Sequence, residues 1–334
     1  MIKTPEFWNN KGIASTALLP LAAIWSLATR LRDRIAKQVS ATLPVICIGN
    51  LSAGGTGKTP LVSLLYDRLV EAGMSPVILS RGYGGSQKGP LWVDGTIHTA
   101  AECGDEPLML AEGRDVIIGR DRVVAAQAIS NRGIHDIILM DDGLQNPYLS
   151  KDMAIGVFDG TVGTGNGRLL PAGPMRVSFD DGISSLDIAF INGEDEHELT
   201  KAIDGRVPIM TGTVVADQTI IADLGDTPLL AFAGIGRPQR FFRTIEKVGG
   251  TIVQSLAFAD HHLYTQSDLT RLQEDSIRLG ASLITTQKDW IRLPAEWRER
   301  ISFMPITMQT DAIDELLGHI MEVAAPKASG DIDV

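Results

Sequence analysis

A glycine-rich segment that ends in Gly-Lys-Thr constrains the fold of this chain more than any other feature. It lies between an apolar run, VICIGN, which is predicted as a strand, and the segment LVSLLYDRLVEAG, which is predicted as a helix. In such a loop, consecutive backbone N–H groups can surround phosphate oxygens, and the following helix presents its positive end to the anion. The residues expected to hold a nucleotide are Ser52, Ala53, Gly54, Gly55, Thr56, Gly57, Lys58 and Thr59.

Two side chains of this loop and a pair of aspartates are candidates for the chemistry of phosphate and metal. Lys58 can bridge the β- and γ-phosphates, and Thr59 can bind Mg²⁺. The apolar run IILM ends at Asp141 and Asp142, and a carboxylate after a neighbouring strand is where Mg²⁺ needs a ligand. Two adjacent aspartates on their own can equally form a solvated turn. Next to a phosphate loop they predict ATP and Mg²⁺ as cofactors, with Thr59, Asp141 and Asp142 as metal ligands.

The order of apolar and amphipathic segments predicts an α/β protein with two domains. Residues 41–206 alternate in the manner of a doubly wound, mainly parallel sheet of the P-loop NTPase type. The alternating runs IMTGTVV and TIIADL in residues 207–224 predict a two-stranded linker that turns at 216–218. Residues 225–325 predict a second, smaller α/β domain, in which FMPITM is a single strand. The 34 glycines and the scarcity of aromatic residues also favour α/β over an aromatic-rich β-sandwich.

Charge is distributed unevenly along the chain. The formal net charge is −11, although the first forty residues carry six basic and two acidic side chains. An acidic body argues against binding of nucleic acid, whereas a basic zone beside apolar residues suits an anionic membrane surface. The two cysteines, Cys47 and Cys103, have no partners at metal-ligand spacing. We therefore expect no nucleic-acid partner and no zinc site.

Residues 1–40 are predicted to form a membrane-associated helix. Residues 12–29 are uncharged and are followed by three arginines, and Pro20 is expected to kink or start the helix. On a helical wheel, the apolar face consists of Leu21, Ile24, Trp25, Ala28, Leu31 and Ile35. This pattern is typical of a helix that lies in a membrane interface. A buried amphipathic helix of the protein core is the alternative.

Phosphoryl transfer to an acceptor also needs a base and contacts to that acceptor. Candidates are Asp105 in the sequence GDEP, the histidines of DHH at 261–262, and several arginines. Each has an ordinary alternative, because Asp105 could cap a helix before Pro107 and a single histidine or arginine is often a surface residue.

In combination, the motifs of this chain resemble those of the tetraacyldisaccharide 4'-kinase family. GGTGKTP, SRGYGG, GDEP, DDGLQ, GNGRLLPAGPMR, AGIGRPQRFF and FADHH follow one another in the family's order over residues 5–293. The resemblance implies two α/β domains with a two-stranded linker, and an enzyme at the cytoplasmic face of the inner membrane. It further implies transfer of the γ-phosphate of ATP to the 4'-hydroxyl of a tetraacylated disaccharide 1-phosphate lipid.

The resemblance also implies roles for individual residues. Asp105 and His261 fall on the family's catalytic pair, and Asp141, Asp142 and Gln145 on residues concerned with Mg²⁺ and nucleotide. The family usually has DDGFQH where this chain reads DDGLQN. Because the acceptor is anionic, basic and polar side chains near the cleft are expected to bind it. This expected set is Arg81, Tyr83, Arg122, Arg168 and Arg176.

Two other classes of P-loop protein are alternatives. One is a membrane-associated switch ATPase, whose loop has the form K-G-G-x-G-K-[ST]. That class places a signature lysine directly before the paired glycines, where this chain has Ala53. The other is a different P-loop small-molecule kinase or ligase. The lysine position therefore favours the lipid kinase.

Overall fold

A computed structural model describes residues 5–325 of the chain. Its strands, in chain order, are β1 (Val45–Gly49), β2 (Pro76–Ser80), β3 (Leu91–Trp92), β4 (Val116–Ile118), β5 (Ile137–Asp141), β6 (Met153–Asp159), β7 (Ile188–Asn192), β8 (Ile209–Ala216), β9 (Leu229–Ala233), β10 (Ile252–Ala257), β11 (Ser282–Thr286), β12 (Ser302–Met304) and β13 (Ile306–Gln309).

A 3-10 turn at Glu6–Trp8 precedes the helices. These are α1 (Ile13–Ala17), α2 (Leu19–Ile35), α3 (Lys58–Glu71), α4 (Ala100–Cys103), α5 (Asp105–Leu110), α6 (Arg122–Arg132), α7 (Phe179–Ile183), α8 (Leu199–Ile203), α9 (Thr219–Leu224), α10 (Pro238–Lys247), α11 (Gln266–Leu279), α12 (Gln287–Trp290), α13 (Ala295–Arg298) and α14 (Ile313–Ala324).

The larger sheet has nine strands in the order β13-β8-β7-β6-β1-β5-β2-β4-β3. Its seven inner strands run parallel, and only the edge strands β13 and β3 pair antiparallel with their neighbours. β1 lies near the middle, fully buried between β5 and β6. The segments that follow β1 and β5 therefore meet at one edge of the sheet, where ligands of such folds bind. The predicted large, mainly parallel sheet is confirmed.

Helices cover both faces of this sheet, which explains why its inner strands are apolar on both sides. On one face, Leu61 and Leu65 of α3 pack with Ile46 of β1 and with Leu316 of α14. On the other face, Ile129 of α6 packs against the opposite side of β1, β2 and β5. The sheet is thus rigid where the glycine-rich loop leaves it.

A second sheet of four parallel strands has the order β10-β9-β11-β12. Phe242 and Ile245 of α10 pack on one face, and Leu269 and Leu272 of α11 on the other. These elements match the strands and helices predicted for the second α/β unit.

The connection between the two sheets differs from the predicted hairpin. IMTGTVV lies in β8, but TIIADL forms the helix α9, with Asp217 accepting from the backbone N–H and hydroxyl of Thr219. TIIADL is only six residues long, and its two isoleucines and one leucine are compatible both with one face of a helix and with the alternation of a strand. The predicted hairpin is therefore wrong in its second arm.

The partner of β8 is β13, which comes from the far end of the chain. The predicted strand FMPITM is divided at Pro305, which has no N–H to donate. Its first part is β12 in the small sheet and its second part is β13 in the large sheet. Two strands do join the units, but they are β8 and β13. Because β13 and α14 complete the first core, the predicted range 225–325 of the second domain is too long at its end.

The N-terminal segment is helical from Ile13, and α2 has Pro20 in its first turn, as expected. Residues 1–4 of the predicted segment lie outside the described range. The predicted apolar face of α2 faces solvent, with Ile24 63% and Ile35 70% exposed, and Ala22 is the buried residue of that helix. The alternative of a buried core helix is thus wrong. None of the helices in residues 5–325 is both long and apolar enough to cross a membrane.

Candidate active site

The glycine-rich loop follows β1 and leads directly into α3, as its sequence predicts. Gly57 is the N-cap of α3 and has φ +91°. A Cβ at this position would lie 2.5 Å from Nδ2 of Asn192, the last residue of β7. Asn192 donates from Nδ2 to the Thr56 carbonyl at 3.0 Å and accepts from the Val214 N–H at 3.1 Å. Glycine is therefore required here, and the sheet itself holds the loop in place.

The other side of the loop is held by the segment that contains GPMR. The Ala53 N–H donates to the Pro174 carbonyl at 2.8 Å, and Ser52 forms an antiparallel bridge with Met175. Within the loop, Asn50 donates from Nδ2 to the Gly54 carbonyl at 3.1 Å. Three segments far apart in sequence thus fix the conformation of the loop.

The acidic pair stands at the end of β5, next to this loop. Asp142 has φ +52° and accepts two hydrogen bonds from Nη1 of Arg176, at 3.0 and 3.1 Å. Lys58 Nζ lies 3.8 Å from Asp142 Oδ1. Burial acts to raise the pKa of Asp142, but the charges of Lys58 and Arg176 outweigh it and lower that pKa. Asp142 is therefore a stable carboxylate that orients Lys58.

Asp141 has a different environment. It is buried, its Oδ2 accepts a hydrogen bond from Ser80 at 3.4 Å, and its Oδ1 has no partner. Burial, followed by the charge of Glu106, raises the pKa of Asp141 to about 7. A buried carboxylate oxygen without a donor is destabilising unless a cation or a proton satisfies it. Asp141 therefore fits the ligand set of a divalent cation.

Gln145 links the acidic pair to the strand that precedes the loop. Its Oε1 accepts from Arg176 at 3.1 Å, and its Nε2 donates to the Asn50 carbonyl at 3.0 Å. The next residue, Asn146, accepts from two backbone N–H groups at positions 148 and 149, both at 3.0 Å. Asparagine thus closes a turn at the position where the family usually has histidine.

Asp105 and His261 come from different units and form a direct contact. His261 Nδ1 lies 2.8 Å from Asp105 Oδ2. Because an ionised carboxylate only accepts, the contact with Asp105 favours a proton on Nδ1 and a lone pair on Nε2 of the neutral ring, while Arg292 Nη2 also lies 3.1 Å from Nδ1. The two residues predicted as a catalytic pair are therefore brought together.

The ordinary alternatives for these two residues are wrong. The N-cap of α5 is Gly104, and Asp105 is the first helical residue, with its side chain directed to His261. Gly104 has φ +92°, and a Cβ there would lie 2.4 Å from the Tyr83 carbonyl oxygen. The SRGYGG loop thus packs tightly against the residue before Asp105, which explains the glycine of GDEP.

The same helix makes further polar contacts with the second unit. Lys288 Nζ lies 3.0 Å from Glu106 Oε1 of α5, and just beyond the end of this helix Glu112 accepts from Gln287 at 3.1 Å. Glu106 is also close enough to Lys58 and Asp142 for their charges to affect its pKa. Through α5, the phosphate side and the His261 side belong to one continuous site.

The residues predicted to bind the acceptor do not form one cluster. Arg176 contacts Asp142 of the acidic pair. Arg122 is buried, and this burial and the charge of Arg81 lower the pKa of Arg122 to about 10. Arg81 and Tyr83 are exposed on the loop after β2, with Tyr83 62% exposed. Arg168 instead donates to Ser15 and Thr16 of α1. The contacts of Arg168 therefore anchor the N-terminal segment, and its contact with substrate stays a prediction.

Sequence reasoning missed several residues that shape the site. Asn192 and Asn50 hold the phosphate loop, Ser80 contacts Asp141, and Arg292 contacts Asp105 at 2.6 Å. For Asn50, Ser80 and Asn192 a signal existed, since all lie at or directly after the ends of apolar runs that form parallel strands. For Arg292, no local pattern indicates its partner.

These features define an α/β protein of the nucleotide-binding, phosphoryl-transferring class. A family model described as tetraacyldisaccharide-1-P 4'-kinase matches residues 14–322. The chain belongs to this tetraacyldisaccharide 4'-kinase family.

Individual relatives agree with that assignment. The chain is 42% identical over 328 residues to a tetraacyldisaccharide 4'-kinase of Rhodospirillum centenum, with 96% of this chain and 97% of the relative covered. It is 40% identical over 311 residues to the enzyme of the same name from Parvibaculum lavamentivorans, with 89% and 90% covered. A crystal structure of LpxK from Aquifex aeolicus in complex with ATP superposes with a TM-score of 0.77 at 25% identity. It covers 93% of this chain and 99% of the other.

Proposed function

We propose that this protein transfers the γ-phosphate of ATP to the 4'-hydroxyl of a tetraacyldisaccharide 1-phosphate, a step of lipid A biosynthesis. The observation that carries the proposal is the contact of Asp105 with His261 beside a phosphate loop. A nucleotide switch needs the loop and the acidic pair, but it does not need a base brought from a second unit. A kinase that acts on a hydroxyl group needs the phosphate loop with its acidic pair and, in addition, a base for the hydroxyl proton.

On the phosphate side, we assign nucleotide binding to residues 52–59 and Gln145. Lys58 neutralises charge on the transferred phosphoryl group. Thr59, Asp141 and Asp142 would hold Mg²⁺, which neutralises phosphate charge when bound. Within residues 5–325, no group of three or more His, Cys, Asp or Glu side chains could hold a metal ion alone. The ion would therefore share its coordination with nucleotide oxygens, as Mg²⁺ commonly does.

On the acceptor side, the sugar hydroxyl attacks the γ-phosphorus, a new P–O bond forms, and the bond to the β-phosphate oxygen breaks to release ADP. The hydroxyl proton passes to the Asp105–His261 pair. In the contact described above, Nε2 of His261 carries the free lone pair, while Asp105 orients the ring and stabilises its charged form.

The anionic acceptor needs cationic contacts in an acidic protein. Arg81, Arg122 and Arg176 are the predicted arginines that lie on the loops at the nucleotide edge of the large sheet. Arg81 and the neighbouring Tyr83 are exposed and free to meet a ligand, whereas Arg176 and Arg122 act from behind the acidic pair. We therefore assign acceptor binding first to the SRGYGG loop.

The apolar face of α2 supports a peripheral or monotopic location at the cytoplasmic face of the inner membrane. Arg30 pairs with Asp181, and Arg32 donates to the Gln145 carbonyl, so α2 is fixed to the body while its apolar side chains stay exposed. A helix in this orientation would bring the active site to a lipid whose acyl chains remain in the bilayer.

The activity is tested by incubating the purified protein with ATP, Mg²⁺ and tetraacyldisaccharide 1-phosphate, followed by mass spectrometry of the lipid. We expect the mass of one added phosphate on the lipid and one ADP released per lipid. ATP hydrolysis at the same rate with and without the lipid, and with no lipid product, would instead support the switch ATPase.

A further inference from the structure

We infer that Arg292 is a positioning residue that fixes the Asp105–His261 pair by binding both the carboxylate and the backbone carbonyl beneath the histidine loop. This role builds on the proposed function. Arg292 lies just after α12, in the second unit, 187 positions from Asp105. Its side chain is only 1% exposed, so its charge is withdrawn from solvent.

The contacts of Arg292 are directed at the pair from two sides. Its Nε and Nη2 both donate to Asp105 Oδ2, at 2.8 and 2.6 Å. Its Nη1 donates to the Gly234 carbonyl at 3.1 Å. The same carbonyl accepts from the backbone N–H of His261 at 3.0 Å. One guanidinium therefore fixes the carboxylate and the backbone of the histidine together.

The backbone of His261 needs such support. It has φ +57°, which is uncommon for a residue other than glycine and persists only where the surroundings enforce it. Adjacent His262 donates to Asp268 at 3.0 Å and so holds the next residue of the loop. Arg292 acts on the pair itself, whereas His262 acts on the loop.

A second carboxylate holds the guanidinium in place. Asp289 is fully buried and accepts from Arg292 Nη1 at 3.0 Å. It also accepts from the Gly234 N–H, the Tyr264 hydroxyl and the Thr286 hydroxyl. A buried group of two carboxylates and one guanidinium gives little net stability compared with apolar side chains of equal volume. Such groups are found where the position or the charge of a side chain matters.

Charged and titratable groups face Asp105 from the loop that contains His261, from α4 and α5, and from α12 with the residues after it. His261 and Arg292 contact Asp105 directly, and Asp260 Oδ1 lies 3.9 Å from His261 Nε2. Asp289 lies behind Arg292. The remaining groups are the buried Cys103 thiol and the Glu106–Lys288 ion pair. Burial alone would raise the pKa of Asp105, but hydrogen bonds from His261 and Arg292 lower it to about 2. Without the guanidinium, we expect Asp105 to bind a proton at higher pH.

The test compares Arg292→Met, Arg292→Lys and a control, Arg298→Met. Arg298 is a partly buried arginine of the same unit that donates to the carbonyls of Leu293 and Ile291 and lies over the ring of Trp290. We expect Arg292→Met to lower kcat about 100-fold, to leave the KM for ATP within about threefold, and to move the acid limb of the pH profile upward by about one unit. Arg292→Lys should return the acid limb most of the way to its wild-type position. Arg298→Met should lower the melting temperature without moving the limb.

A second measurement does not depend on the lipid or on the reaction. The protein is labelled with ¹³C at the aspartate carboxyl groups, and the Asp105 signal is assigned by its loss in Asp105→Asn. We expect Asp105 to stay ionised down to pH 4 in the wild type and to titrate above pH 4 in Arg292→Met. Failure of the lipid assay with this titration intact would contradict the proposed function but not the positioning role. An unmoved Asp105 titration and an unmoved acid limb in Arg292→Met would overturn the role of Arg292.

Discussion

The phosphate side and the acceptor side of the site are assembled in different ways. The proposed phosphate loop occupies eight consecutive positions, 52–59, which run from just after β1 into the first turn of α3. Asp105 and His261, in contrast, are 156 positions apart and meet through packing of two units. The phosphate side is thus assembled within the first unit, whereas the acceptor side exists only when the two units are held together. Substitutions on the two sides should differ accordingly.

The largest effect is expected at Lys58. Lys58→Met removes the cation that we propose neutralises the transferred phosphoryl group and should lower kcat by about 10³-fold or more. The control is Lys201→Met, because Lys201 is exposed on α8, and it should retain activity within about threefold. Turnover of Lys58→Met close to that of the control would remove the assignment of the phosphate side.

The next largest effect tests the acceptor side. Asp105→Asn and His261→Gln should each lower kcat by about 10²–10⁴-fold, and the double variant should lose little more than either alone. His319→Gln on α14 serves as a control for a histidine outside the site. Losses that are small and that add in the double variant would show that the two residues do not work as a unit.

These two sides also differ in how far the sequence predicted them. The phosphate loop, the acidic pair and the large parallel sheet follow from local patterns, because strand, glycines and helix adjoin in the chain. Asp105 and the histidines of DHH are candidates from the sequence, but their pairing is predicted only through family resemblance, since no local pattern states which distant residues meet. Arg292 was missed for the same reason.

Errors in the predicted fold have similar causes. α9 was predicted as a strand because a six-residue apolar pattern does not distinguish period 2 from period 3.6. The return of β13 and α14 to the first sheet depends on Pro305, which ends one strand and lets the next one join another sheet. Contacts of this kind are decided by tertiary packing.

The proposed membrane contact lies in a third region, and its loss should affect turnover less than substitutions on either side of the site. Trp25→Ser with Leu27→Ser removes two exposed apolar side chains of α2 and should weaken binding to anionic vesicles by about 10-fold or more. Ile277→Ser on α11 removes a side chain that is similarly exposed in the second unit and should leave binding unchanged. Equal losses in both variants would place the membrane-binding surface elsewhere.

The smallest effect concerns stability on the phosphate side. The pKa of Asp141 is raised from 3.8 to about 7 by burial and by Glu106, so the folded protein binds more protons than the unfolded chain between these values. Stability from this group is present below about pH 4 and is lost as the pH rises to about 7. Asp141→Asn cannot ionise and should be more stable than the wild type at pH 8 without metal, by about 1–2 kcal/mol.

Urea unfolding at pH 5 and pH 8, with and without Mg²⁺ and ATP, measures this effect. The gain in stability from Mg²⁺ with ATP should be smaller in Asp141→Asn than in the wild type, because a cation ligand is lost. Asp223→Asn, on the exposed side of α9, is the control and should follow the wild type at both pH values. An unchanged difference between pH 5 and pH 8 in Asp141→Asn would contradict the buried, proton-binding state of this carboxylate.

The central claim is that one site is divided into a phosphate side, which binds nucleotide, and an acceptor side, which supplies the base. Its most direct test is to measure ATP affinity and lipid phosphorylation in the same preparation of His261→Gln. We predict an ATP dissociation constant within about threefold of the wild type and a loss of kcat of at least about 100-fold. A parallel loss of ATP affinity and turnover, or full retention of both, would contradict the division of the site.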